Sequence, residues 1–448
     1  MRSSLYLVAG LGKTGHSIAR YLRRRNKAFV AFDTRLQPAG LAEFNAEFPG
    51  VEVFLGELPD ALYGQLTEII SSPGVELDGP SLQKANRMGI PIIGDIECLA
   101  REINVPVIAI TGTNGKSTVT TLVGEMAKAA GLSVAVAGNI GLPVLDLLDD
   151  GFQYDLWVLE LSSFQLDLTY SLAPLAATIL NVTPDHLDRH HHLEAYIKAK
   201  QRVYHQAKAI LYNREDLQTS PVIQPENLAP LVSSFGLDVP TVGNWGLIVA
   251  DGMNYLAYGQ ARILPVDALR IKGRHNWQNA LAACALAEAA GVPQSQMIDV
   301  LRSFTGLPHR SQWVRAIEGV DWVNDSKGTN IGATMSAISG IGGSMQGKIV
   351  LIAGGQGKGA DFSELRASMT EYVRSVVLIG EDADKLEQAI HDVVNVVRAP
   401  SLEEAVCIAK LQAHPGDVVL LSPACASLDM FRDFNHRGDT FTAAVDAL

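Results

Sequence analysis

The chain has 448 residues, too many for one hydrophobic core, so about two to four domains are expected. Its 36 Lys and Arg against 48 Asp and Glu leave a net charge of −12, which excludes non-specific binding to nucleic acid or anionic membranes. Any anionic ligand must be held by local basic and backbone groups. The 47% apolar and 19% charged residues are those of an ordinary globular enzyme. No run approaches the ~20 apolar residues of a membrane span, and the apolar run near the N-terminus is too short for a signal peptide. Cys98, Cys284, Cys407 and Cys425 show no metal or CxxC spacing and suit a reducing cytoplasm, the expected location.

Apolar strand-like runs alternate with helical patterns throughout, which predicts α/β architecture. In the first block, strands are predicted at residues 5–9, 28–32 and 68–70. Gly10-Leu11-Gly12-Lys13-Thr14-Gly15 fits G-x-G-x-x-G after a strand, and Asp33 ends the next strand about twenty residues on. Alone, this pattern indicates a dinucleotide with Asp33 on a ribose. Lys13 and Thr14, however, put a cation and a hydroxyl where a phosphate would sit, and Thr34-Arg35 adds donors, so another nucleotide fits better. Ser71-Ser72-Pro73-Gly74 follows a strand at the carboxyl edge, where ligands of such sheets bind.

The second block opens near Val105 with IAITGTNGKSTVT at residues 108–120, a strand, a glycine-rich turn and a helix start. Gly112, Thr113, Asn114 and Gly115 form the turn, and Lys116, Ser117 and Thr118 open the helix. Backbone N–H groups and the helix dipole would face a polyphosphate, with Lys116 on its terminal phosphates and the Ser117 hydroxyl on Mg²⁺. The standard loop has a further glycine where Ile110 stands, so this loop is shorter. A strand at 156–159 delivers Glu160, placed like the acidic metal residue of phosphate-loop enzymes. A strand at 177–180 leads into Asn181-Val182-Thr183-Pro184-Asp185-His186-Leu187-Asp188, where His186 stands between two acids as a candidate ligand for a second metal. The run His190-His191-His192 reads as a solvated helix approach. A helix at 194–206 carries Lys198 and Lys200, between which side-chain chemistry does not choose. An alanine-rich helix at 279–290 closes the block. The third block follows Leu307-Pro308-His309-Arg310, with strands at 348–352, 376–379 and 418–421.

TGTNGKST, LELSSFQL, NVTPDHLDRH, GRHNWQNALAA, LPHR, NDSKGTN and GGQGKGADF occur in the order found in the Mur ligases of peptidoglycan synthesis, which the chain resembles along essentially its whole length. Asp33-Thr34-Arg35, Ser72-Pro73-Gly74 and the segment LSPACASLD at 421–429 narrow the resemblance to the member using UDP-N-acetylmuramoyl-L-alanine and D-glutamate. It implies three α/β domains, at 1–94, 95–305 and 306–448. The first is Rossmann-like and holds the UDP part of the precursor; the second is a central ATPase domain of the P-loop type with a mainly parallel sheet. The third resembles a dinucleotide fold but binds the amino acid. ATP would phosphorylate the L-alanine carboxylate, and the D-glutamate amine would attack the acyl phosphate.

The resemblance also implies residue roles. Two Mg²⁺ ions would involve Ser117, Glu160 and His186, together with a carbamylated lysine whose motif falls on Lys200 in Lys200-Gln201-Arg202-Val203-Tyr204. Asn276 and Asn279 would face the adenine, while Arg310 and Asp325 would serve the γ-phosphate and ribose. Lys13, Thr14, Asp33, Thr34, Arg35, Ser72, Gly74, Asn139 and Ser162 would contact the UDP precursor. Thr329, Lys358, Ser427 and Phe434 would form the D-glutamate pocket. A monomer without nucleic-acid or membrane partners is expected.

Overall fold

The computed structural model describes residues 4–222, 231–271, 273–343 and 345–448, with only the backbone of Leu187 and Asp188. The chain divides into two compact units. One comprises Met1–Leu247, Ala257–Ala261 and Leu281–Met297, the other Ile248–Leu256, Arg262–Ala280 and Ile298–Leu448.

The first unit begins with five parallel strands, β1 (Leu5–Ala9), β2 (Ala28–Asp33), β3 (Val53–Leu55), β4 (Leu66–Ser71) and β5 (Ile92–Gly94), in the order β3-β2-β1-β4-β5. Successive residues of β1 enter opposite cores, Val8 with Ile18 and Ala31, Leu7 and Ala9 with Val30 and Phe32. A sheet covered on both faces reads as a continuous apolar run, which is why β1 and β2 were legible. The three-residue β3 and β5 were not predicted. The helix Lys13–Arg24 packs so close to the turn after β1 that a Cβ on Gly15 would lie 1.8 Å from the Gly10 carbonyl oxygen.

Next come β6 (Val107–Thr111), β7 (Val134–Gly138), β8 (Leu156–Glu160), β9 (Ala176–Ile179), β10 (Ala209–Asn213) and β11 (Leu231–Phe235). They pair in parallel in the order β11-β10-β9-β6-β8-β7. Register places Glu160 of β8 beside both Ile110 of β6 and Gly138 of β7. In this sheet β7, β10 and β11 were not predicted, nor were the three strands that follow, β12 (Trp245–Ala250), β13 (Met253–Tyr258) and β14 (Ala261–Pro265). The alanine-rich helix spans Arg274–Ala289, beginning five residues before the predicted start, just after Gly273 at φ 100°.

The second unit contains β15 (Gln312–Ile317), β16 (Val320–Asn324), β17 (Ile349–Gly354), β18 (Val373–Ile379), β19 (Asn395–Arg398) and β20 (Val418–Leu421), ordered β15-β16-β20-β17-β18-β19. Only the β15–β16 pairing is antiparallel. Its two-residue turn, Glu318-Gly319, has φ 51° and 79°, the positive pair a tight hairpin requires. Ile349, Leu351 and Ala353 enter one core, and Val350 and Ile352 the other.

Candidate active site

β6 is wholly buried, and the chain leaves it through the Gly112–Gly115 turn into the helix Lys116–Ala129. Lys116 Nζ donates to the carbonyls of Gly112 (2.8 Å) and Thr113 (2.9 Å). The segment after β9 braces this loop. Thr113 N–H donates to the Asn181 carbonyl (2.9 Å), Asn114 N–H to Asn181 Oδ1 (2.8 Å), and Thr183 N–H to Thr113 Oγ1 (3.0 Å). A loop pinned in this way keeps its N–H groups and the helix start set for an anion. Ser117 and Thr118 sit half-buried in the first helical turn.

Glu160 is 2% exposed. Its Oε1 accepts from Asn139 Nδ2 at 2.9 Å, while Oε2 has no hydrogen-bond partner among the described residues. β7 approaches so closely that a Cβ on Gly138, at φ 105°, would lie 2.1 Å from the Glu160 carbonyl oxygen. A buried carboxylate oxygen without a donor is costly unless a cation meets it. That orphaned oxygen and the Ser117 hydroxyl are hard donors of the kind Mg²⁺ takes. No group of three or more His, Cys, Asp or Glu converges among the described residues, so such an ion would draw further ligands from phosphate oxygens and water.

The helix Leu193–Gln201 leaves Lys198 exposed and Lys200 1% exposed. Lys200 Nζ donates to the Gly112 carbonyl (2.9 Å) and Thr111 Oγ1 (3.4 Å), and lies 4.4 Å from the Tyr196 ring centre. Burial, and then the nearby Lys116 charge, bring its pKa down to about 7. The helix is shorter than predicted because a 3₁₀ turn, Arg202–Tyr204, replaces its last turn. There Arg202 donates to the carbonyls of Leu166 and Thr169, both at 2.6 Å, and tertiary bonds override local propensity.

His186 is half exposed, 3.6 Å from Asp185 and edge-on to Phe164. The Asp188 side chain lies outside the described residues. The expectation for the histidine run needs correction. His191 and His192 are exposed, but His190 is buried, 2.9 Å from Ser163 Oγ and stacked on Phe164 at 5.5 Å. The long approach segment folds inward there, a tertiary contact that a polar run does not announce.

A cavity of about 670 Å³ opens at the carboxyl edge of the first sheet, lined by Lys13, Thr14, Asp33, Thr34, Arg35, Ser72, Gly74 and Asn139. Ser162 is not among its lining residues; it caps the helix Ser163–Asp167, accepting from Gln165 N–H at 3.2 Å. Asp33 is gripped by Arg35 through Nε and Nη2 (2.8 Å each) and by the N–H groups of Leu11 and Arg35 (3.1 Å each). Burial acts to raise the Asp33 carboxyl, but these bonds outweigh it and hold the pKa below the usual range. Ser72 Oγ is buried and without a partner among the described residues. The cavity also exposes a group the sequence reading passed over, Asp95, directly after β5. A polar residue at a strand's carboxyl end was the available signal.

In the second unit, Asn279 Nδ2 donates to Asn276 Oδ1 at 3.0 Å. Arg310 is exposed, and its neighbour Ser311 donates N–H to Asp325 Oδ1 (3.0 Å), while Ser422 Oγ donates to Asp325 Oδ2 (2.8 Å). Burial pushes the Asp325 carboxyl up to about 6. Ser326 Oγ donates to the Phe434 carbonyl (2.8 Å), drawing the loop bearing Thr329 to the start of the helix Phe434–Asp446. Gln356 and Ala426 exchange backbone hydrogen bonds of 3.0 and 2.9 Å, which brings the Lys358 loop beside the segment holding Ser427. Beneath these loops Arg437, 1% exposed and missed in the sequence, donates to Ser326 Oγ (3.0 Å), Ser326 O (2.9 Å) and Cys425 O (3.2 Å).

Three family models match in succession: "Mur ligase MurD-like, N-terminal domain" over residues 4–94, "Mur ligase middle domain" over 110–287, and "Mur ligase, glutamate ligase domain" over 309–425. A Legionella pneumophila (strain Paris) protein named UDP-N-acetylmuramoylalanine--D-glutamate ligase is 69% identical over 448 residues, covering all of both chains. The chain belongs to the Mur ligase family. It is therefore an ATP-dependent, amide-forming ligase of peptidoglycan precursor synthesis, built of three α/β domains. A Pseudomonas aeruginosa protein of the same name is 49% identical over 442 residues, 99% of this chain and 98% of that one. Among solved structures, a UDP-N-acetylmuramoyl-L-alanyl-D-glutamate--2,6-diaminopimelate ligase matches with TM-score 0.60 at 20% identity, covering 99% of this chain and 95% of that one. The Thermotoga maritima UDP-N-acetylmuramate-alanine ligase matches with TM-score 0.55 at 17% identity over 99% of both. At those identities the Mur ligase likeness is one of fold. No helix among the described residues is long and apolar enough to cross a membrane.

Proposed function

We propose that this Mur ligase joins D-glutamate to the L-alanine carboxylate of UDP-N-acetylmuramoyl-L-alanine, working in the cytoplasm as a monomer with domains at 1–94, 95–305 and 306–448. The observation that carries the catalytic reading is the buried, unpartnered Glu160 Oε2 beside the phosphate-loop strand. A carboxylate is a poor electrophile, so ATP first phosphorylates it, and the D-glutamate amine displaces phosphate from the acyl phosphate. The turn Gly112–Gly115, Lys116 and Thr118 hold the polyphosphate, and the Lys116 charge offsets the negative charge gathered at the transferring group. Ser117, Glu160, His186 and a carbamylated Lys200 would hold two Mg²⁺ ions, whose contribution is to polarise phosphoryl oxygens. Asn276 and Asn279 orient the adenine, Asp325 the ribose, and Arg310 supplies a cation to the γ-phosphate.

Lys13, Thr14 and Ser72 take the diphosphate, Asp33, Thr34, Arg35 and Gly74 the uridine side, and Asn139 and Ser162 the precursor nearer the reacting carboxylate. Thr329, Lys358, Ser427 and Phe434 hold D-glutamate, with one cation and two hydroxyls for its two carboxylates. The test is phosphate release from ATP and Mg²⁺ with UDP-N-acetylmuramoyl-L-alanine and a panel of amino acids. Release confined to D-glutamate, with product mass raised by one glutamyl residue, is expected. Release only with L-alanine or a diamino acid would overturn the specificity.

A further inference from the structure

The cavity of the first unit runs along a sheet edge whose strand order fixes what lies at each end. Asp33 ends β2 and Arg35 follows it, the Gly10–Lys13 turn follows β1, Ser72 and Gly74 follow β4, and Asp95 follows β5. From β2 to β5 is three strand spacings, roughly 14 Å. With the uridine at β2 and the diphosphate over β1 and β4, the β5 end receives the uncharged sugar and lactoyl part. That end is completed by Asn139 and Gln165, from the part of the unit that carries Glu160.

Three carboxylates line the cavity, Asp33, Glu76 and Asp95, and of these Asp95 is a buried one that no arginine grips. It is 3% exposed and its Oδ1 has no hydrogen-bond partner among the described residues, although it lines the cavity. The N–H groups of Ile96 and Asp95 itself, and then the Gln165 side chain, act to steady its carboxylate against burial. The other end of that amide is already committed, since Gln165 Oε1 accepts from Ser162 N–H at 3.1 Å. With that oxygen engaged, the NH₂ is the group Gln165 has left for Asp95, whose Oδ1 remains an unfilled acceptor. An anionic group brought there would be repelled, and an acceptor would leave the orphan unsatisfied; only a donor completes it.

We propose, resting on the precursor reading above, that Asp95 is a specificity residue that accepts a hydrogen bond from a hydroxyl or amide N–H in the sugar–lactoyl–alanine half of the precursor. It distinguishes the full precursor from UDP alone.

The experiment is calorimetric binding of UDP-N-acetylmuramoyl-L-alanine and of UDP to the wild type and to Asp95→Asn. The variant should bind the full precursor roughly tenfold to a hundredfold more weakly, the worth of a hydrogen bond to a charged acceptor, and UDP equally well. Unchanged precursor binding overturns the proposal, as does equal weakening of both ligands, which marks a structural role. A second arm uses only wild-type protein: a precursor analogue with its two sugar hydroxyls, acetamido N–H and L-alanyl amide N–H all methylated should lose the same factor, and equal affinity overturns the assignment. Wild-type protein that binds neither ligand would remove the precursor reading itself, whereas precursor binding indifferent to Asp95→Asn removes Asp95 alone.

Discussion

Lys116 and Lys200 converge on a single acceptor, the Gly112 carbonyl, at 2.8 and 2.9 Å. Burial is the larger cause of the depressed Lys200 pKa of about 7, and repulsion between these ammonium groups adds to it. A neutral amine attacks CO₂ and an ammonium does not. Carbamate on Lys200 should therefore increase as pH rises through 7 and fall away below it. Carbon-13 NMR with labelled bicarbonate should show a carbamate signal in the wild type and none in Lys200→Arg; a wild type without that signal would remove the modification. Unmodified, Lys200 binds fewer protons folded than unfolded between pH about 7 and 10.5, so its contribution makes stability rise with pH across that window.

Glu160→Gln removes the charge from an oxygen that has no donor to lose. Turnover should fall by roughly 10²- to 10³-fold, while the melting temperature without metal holds or rises. Mg²⁺ should raise the melting temperature of the wild type and leave that of the variant unmoved, because only a bound ion shifts it. An equal Mg²⁺ response in both would detach Glu160 from the metal.

Lys358 is exposed, at φ 51°, on a loop tied to the Ser427 segment. Lys358→Ala should raise the KM for D-glutamate at least roughly tenfold, as expected for a lost charged hydrogen bond, and leave the KM for ATP alone. An unchanged D-glutamate KM would take Lys358 out of the pocket.

Gly138→Ala tests the backbone beneath the site. Its Cβ would fall 2.1 Å from the Glu160 carbonyl oxygen at φ 105°, so β7 must move or the carbonyl must turn. Thermal unfolding should show a loss of about 2 kcal/mol or more, with turnover falling too because Asn139 and Glu160 are displaced together. A melting curve like that of the wild type would contradict the close approach.

Much of this was legible because the phosphate loop, Glu160 and the first nucleotide turn all sit at ends of buried strands, where an apolar run stops at a polar residue. Where position depends on another element, the sequence was silent or misleading. Nothing local distinguishes buried His190 from exposed His191, and Phe164 and Ser163, which settle the matter, come from a distant helix. Arg437 was passed over because its partners, the Ser326 oxygens and the Cys425 carbonyl, lie on other segments of the chain. The Asp95 carboxylate was hidden by the shortness of β5. Side-chain chemistry left Lys198 and Lys200 undivided; the motif pointed to Lys200, which is also the buried one of the two.

The grip of Arg35 on Asp33 bears on which cofactors this fold refuses. A carboxylate offers about four lone-pair positions, and here two N–H groups and two guanidinium nitrogens fill them. In a dinucleotide fold the equivalent acid greets the ribose diol of NAD. In this chain Arg35 already holds that acid, so a ribose diol reaching for it would compete with the guanidinium. Such self-occupancy would disfavour a nicotinamide dinucleotide through the loss of an acceptor. Arg35→Ala would free two lone pairs of that acid and restore the acceptor a ribose diol needs.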